Sequence, residues 1–332
     1  NFKALSTDQV RALTTDQFRA VTTSQLAGIS TAQLTALTTS QIVELVTAQT
    51  AAMGTLQAAS LTSTQVAAME VLDLGKLNTS ALAQLSTSVI SNLDANQVAG
   101  LSTLQVAALT TTQLAGIETT DLVKLTTSQV QALTTDQIQA LTTDQVPTLL
   151  TAQVAALKTN QVAALETTDL VKLTTDQIQA LTTAQVIALT TDQVPNMLTA
   201  QVASLKTSQV EVLVTADLVK LTTDQIQALT TDQVQALTIT QVPTLLTAQV
   251  AALRTSQVAA METADLVKLT TDQMQALTTD QLQALTITQV PTLLTAQVAA
   301  LTTSQVAALE TADLVKLTTQ QVQALTTDQT QA

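Results

Sequence analysis

An all-α repeat solenoid of very short capped helices, one for every eight residues, is the fold this sequence predicts. Three observations predict it. An apolar residue, almost always Leu, returns every eight residues from Leu5 through Leu13, Val21, Ile29 and Leu37 to Leu325 without a slip of phase. A second apolar residue, mostly Val, Ile or Leu, stands three positions before each of these, so the two share a helical face. Two positions after the recurring Leu comes, in most octads, a Thr, often followed by an acidic residue, which is the spelling of a helix start.

With Leu5 as position a, the unit reads a-Leu, b-Thr, c-Thr, d-Asp, e-Gln, f-Val, g-Gln, h-Ala, spelled LTTDQIQA over 133–140. Positions a and f vary least in character and form the predicted spine: Leu133, Ile138, Leu141, Val146, Leu149, Val154 and Leu157. The Thr at c is the predicted N-cap, its hydroxyl accepting from the backbone N–H at e or f. Thr135, Thr143, Thr151 and Thr159 are the caps this nominates. Where b is also Thr, the b-to-e spacing gives T-x-x-Q, a capping-box spelling one residue earlier. Ala at h and Gln at e and g favour helix. Positions b and g are loose and are expected to face outward. Position b accepts Thr134, Leu150, Lys158 and Glu166; position g accepts Gln131, Ala155, Val171 and Pro147.

A β-solenoid of 24-residue coils, three octads each, is the alternative. Thr, Val and Ile favour strands. Strict alternation, however, would bury f and h and send the constant Leu at a outward. Only 5 Gly are available for corners. Against the helix stand Pro147, Pro195, Pro243 and Pro291, all at g, where a missing N–H costs a bond. A 3₁₀-like segment there would relieve the conflict. One long helix fails, because eight residues turn through about 800° and drift about 80° per repeat.

A single octad cannot fold alone. Burying one Leu and one Val yields about 3–5 kcal/mol, and ordering eight residues costs about 12 kcal/mol. Stability must come from neighbours sharing one spine, so residues 1–332 read as a single continuous octad-repeat solenoid. A nested 48-residue repeat is clearest over 70–325. Lys76, Lys124, Lys172, Lys220, Lys268 and Lys316 keep that interval, as do the four Pro residues. Two readings stand open: duplication of a six-octad cassette, or a ladder of lateral contacts. In the second, the Lys residues would pair with nearby acids such as Glu118, Glu166, Asp121 and Asp169, setting register more than adding energy.

Composition excludes much chemistry. The chain has no Cys, His, Trp or Tyr, which removes disulfides, thiolates, imidazole bases and zinc-finger sites. A net charge of −13 argues against nucleic acid and anionic membranes as partners. No apolar run is long enough to span a membrane. The opening Asn1-Phe2-Lys3 reads as a processed end or a piece of a longer chain. Thr and Ser without His cannot form the usual nucleophile triad. Acidic pairs such as Asp136 and Asp144 repeat as one row and not as a unique site, and no Gly-rich calcium loop is spelled. Asn78-Thr79-Ser80 is a lone glycosylation triplet. No catalytic, cofactor or metal residue is therefore nominated.

At the level of the LTTxQVxAL unit, the whole chain resembles repeat tracts of very large bacterial cell-surface or secreted proteins. The resemblance implies a stalk, an adhesin shaft or filament-forming material. The resulting expectation is a non-enzymatic structural protein: an extracellular or cell-surface rod, stalk or filament that self-associates along or between fibres. The alternative is a repeat-based module that binds a surface protein or glycan.

Overall fold

A computed structural model describes residues 2–331. Among them the chain forms 37 α-helices of four to six residues and five 3₁₀ turns, and no strand. The all-α solenoid is the fold, and the β-solenoid of 24-residue coils is not formed. The reason is visible in one octad. Leu133 and Thr134 are extended, with ψ of 141° and 163°, and the helix Thr135–Gln139 follows at once. Two extended residues make the corner, with no positive φ at any described residue, Gly included. Corners of this kind need no Gly, which is why 5 suffice.

The Pro octads are where the helix gives way. Val146–Thr148, Val194–Asn196, Val242–Thr244 and Val290–Thr292 are 3₁₀ turns with Pro at their second residue. The tighter turn needs no N–H from Pro, and Thr148 N–H closes it on the Gln145 carbonyl at 3.1 Å.

The chain divides into two compact units, Asn1–Leu173 and Thr174–Ala332. In each, helices three octads apart lie against one another. In the first unit Thr103–Ala108 packs on Thr127–Ala132, which packs on Thr151–Ala156. In the second the same chain of contacts links Thr199–Ser204, Thr223–Ala228, Thr247–Ala252 and Thr271–Ala276. Between three and four octads complete a coil. The buried face of each helix carries e, f and the following a, which lie at i, i+1 and i+4 and so share one stripe. Leu133, Ile138, Leu141, Val146, Leu149, Val154 and Leu157 are all buried.

Candidate functional site: the stitch at position e

The cap sits one residue earlier than the c position that the sequence nominates. Thr134 is the N-cap of Thr135–Gln139, its hydroxyl accepting from Gln137 N–H at 3.2 Å. Gln137 answers by accepting the Thr134 N–H through Oε1 at 2.8 Å, completing a capping box. Thr135, Thr151 and Thr159 are first helical residues instead of caps. Thr143 also lies one past the capping residue, because the pair with Gln145 is made by Thr142. The physical reason is reach: a hydroxyl at b is three residues from e, the spacing at which both halves of the box close. Where b has no hydroxyl, the glutamine half persists, as from Leu150 N–H to Gln153 Oε1 at 2.8 Å.

The same glutamine does something that its helix propensity does not suggest. Gln137 is 2% exposed. Its Nε2 donates to the carbonyls of Val106 at 2.9 Å and Leu109 at 2.7 Å, 31 and 28 residues back. In the second unit Gln233 repeats this on Val202 and Leu205 at 3.0 and 2.6 Å. The side chain thus closes its own helix start with one atom and ties it to the preceding coil with the other. Only a primary amide of this length can do both, because Oε1 must accept and Nε2 must donate. Glu would set a carboxylate against the carbonyls, and Glu occupies no e position in the chain. Gln9, Gln17 and Gln25 are exposed, and Gln33 makes the first such tie, to Leu5 at 2.7 Å.

Eight octads depart from Gln at e: six carry Asp, and the others carry Ala81 and Val89. In the 77–84 octad Asn78 substitutes for the missing stitch. Its Oδ1 caps Ala81 N–H at 2.8 Å, and its Nδ2 donates to the Met53 carbonyl at 2.8 Å. The lone glycosylation triplet is therefore a structural tie, with its acceptor nitrogen already engaged.

Asp73, Asp169, Asp217, Asp265 and Asp313 are buried and Asp121 is half-buried, so these acids do not form a surface row with the lysines. Their helices are four residues long and lack a side-chain cap bond. Burial, then the charge of Glu166, pushes Asp169 up to about 6. Burial and then Glu262 push Asp265 up to about 6. Burial alone raises Asp217, whose Oδ2 has no hydrogen-bond partner.

Lys76, Lys124, Lys172, Lys220, Lys268 and Lys316 are all exposed. Among the described residues one ion pair forms, Arg19 with Glu44, and it does not involve them. Among the described residues no three acidic side chains converge as a metal site would require, and no helix is long and apolar enough to cross a membrane.

The stitch at e is the feature that sequence reasoning missed. Its signal was present, since e is more constant than g although both carry Gln and both sit in the same helix. Helix propensity treats the two alike, so only burial explains the difference.

No curated protein matches the chain. The model of the ALTTAQ repeat matches residues 15–47, 66–103, 114–151, 162–199, 213–247, 258–295 and 306–332. Those seven matches cover well over half of the sequence, and the chain belongs to the ALTTAQ repeat family.

Proposed function

We propose that this repeat solenoid is a non-catalytic structural array, acting outside the cell as a rod, stalk or filament subunit. The observation that carries the reading is the stitch at e. One bifunctional amide recurs octad after octad, tying each coil to the one before it, and the polar groups it uses are consumed in holding the stack. Resemblance to repeat tracts of large bacterial surface proteins supports the location. Self-association along or between fibres follows from the same reading, with the exposed lysines at 48-residue spacing as the lateral contact. Electron cryo-microscopy of the native protein should show elongated particles or filaments; compact globular monomers would reject the proposal. Protease shaving of intact cells should release octad peptides, and their retention inside would reject the location.

A second reading has its own observation. Leu150, Leu198, Leu246 and Leu294 stand at b, 48 residues apart, each about half exposed. Such a row suits a module that grips a protein or glycan. That reading requires ligand stoichiometry to scale with the number of 48-residue cassettes, so a fixed single site would exclude it.

A further inference from the structure

We infer that the six aspartates at position e are proton-operated stitches: as an acid each donates a hydrogen bond to the preceding coil, and as a carboxylate it leaves that tie open. The geometry comes from the glutamine octads. There the carbonyl at a, 28 residues before e, takes its hydrogen bond from the glutamine amide, as Leu133 does from Gln161 and Leu229 does from Gln257. The carbonyls in the same relation to the six aspartates belong to Leu45, Leu93, Leu141, Leu189, Leu237 and Leu285. Among the described residues none of these six receives a hydrogen bond. Six buried carbonyls without donors therefore face the six octads whose side chain has no proton to donate when ionised.

The placement also accounts for the nested period. Leu141, Leu189, Leu237 and Leu285 each begin a Pro octad. Each Asp octad from Asp169 onward is thus registered on a Pro octad three octads back, and the pair recurs every 48 residues. A cassette of six octads keeps the two in step.

Asp265 shows the surroundings most fully. Its own octad carries Glu262 and Lys268, and the flanking octads carry Arg254 and Asp272. In the preceding coil the 229–236 octad carries Asp232, and the Pro243 octad has no ionisable side chain. In the following coil the Pro291 octad and the 293–300 octad have none either. No cation is therefore supplied to the buried carboxylate from the coils above and below. The chemical step is a protonation alone: a solvent proton adds to a carboxylate oxygen, and the resulting O–H points its hydrogen at the carbonyl.

The sign is opposite to ordinary acid denaturation. With a folded value raised to about 6 and an unfolded value of about 3.9, the native state holds more protons between the two. Stability at this point rises as pH falls through about 6, is complete below the unfolded value, and is lost as pH rises above the folded value.

Hydrogen exchange of the full chain, corrected for intrinsic exchange chemistry, tests this in peptides covering 237–244 and 261–268. From pH 7.5 to pH 5.0 the local opening equilibrium should fall about tenfold. Asp265→Gln should be equally protected at both pH values, and Asp272→Asn, at an exposed d position, should keep the tenfold response. Protection that stays constant or drops at pH 5.0 in the natural chain would overturn the inference, as would a response that survives in Asp265→Gln. A carbon-13 titration of the Asp265 carboxyl in the natural chain is independent of any variant. A midpoint near 6 is expected, and an ordinary carboxylate midpoint overturns the inference.

Discussion

Residues 125–164 and 69–92 are built on the same octad and tied in different ways. The first region carries five consecutive stitches, from Gln129, Gln137, Gln145, Gln153 and Gln161. The second has Asp73, Ala81 and Val89 at the same position. Both keep the spine: Met69, Leu74, Leu77, Leu82, Leu85 and Ile90 are as buried as their counterparts. The bare region is nonetheless held, on one side by the single bond from Asn78 to Met53 and on the other by three glutamines. Gln97, Gln105 and Gln113 donate back into its carbonyls at Met69, Leu77 and Leu85. The difference separates two jobs. Apolar burial at a and f forms each coil, and the amide at e joins one coil to the next.

The harshest way to break this comparison is to turn one stitch into its opposite. Gln145→Glu sets a carboxylate, at a site 2% exposed, against the Leu114 and Ile117 carbonyls, which Gln145 reaches at 3.0 and 2.8 Å. An uncompensated buried charge costs about 3–5 kcal/mol. The introduced carboxyl would titrate higher in the folded chain than unfolded, so the loss should be greatest near pH 8 and shrink in acid. Urea denaturation at two pH values reads it, and equal loss at both would show that the side chain escapes to water.

Next comes the spine. Leu141→Ala removes a side chain 5% exposed and should cost about 2–5 kcal/mol locally. Leu77→Ala in the bare region should cost a similar amount, because the spine does not depend on the stitch. A much larger loss at Leu77 would mean that e and a act as one unit.

What the sequence made legible follows from the kind of physics involved. The spine was readable because a and f at i and i+3 share a face whatever the tertiary context. The strain at Pro147 was readable because Pro removes a donor anywhere, and the 3₁₀ turn Val146–Thr148 is its local remedy. The stitch was not readable, because Gln137 meets Val106 and Leu109 across a full coil, and no local rule assigns partners 31 and 28 residues away. The cap at Thr134 was half readable. The T-x-x-Q spelling was present, and the choice between b and c turned on the extended Leu133–Thr134 corner, which only the packed coil fixes.

Within the bare region, one tie can be removed and one added. Asn78→Ala deletes both a cap and the bond to Met53, and should cost about 1–2 kcal/mol. Val89→Gln should install a stitch. The carbonyl 28 residues back belongs to Leu61, which receives no hydrogen bond among the described residues. A gain of about 1 kcal/mol is expected, partly offset by the loss of the buried Val89 side chain. Thermal unfolding reads both, and a loss at Val89→Gln would show that the bare region has repacked around apolar residues at e.

The smallest effects distinguish neighbouring threonines. Thr134→Ala removes the hydroxyl that accepts Gln137 N–H at 3.2 Å and should cost about 1 kcal/mol. The glutamine half of the box would survive, as it does at Leu150, so the loss should stay at the low end of capping effects. Thr135→Ala replaces a first-turn residue by a better helix former and should change stability by less than about 0.5 kcal/mol. The pair is best compared in one array under one denaturant, because only the difference matters. An equal loss at both positions would mean that the 135 hydroxyl shares the capping role that the helix start assigns to Thr134. A loss confined to Thr135 would move the cap back to c and unseat the account of the corner itself.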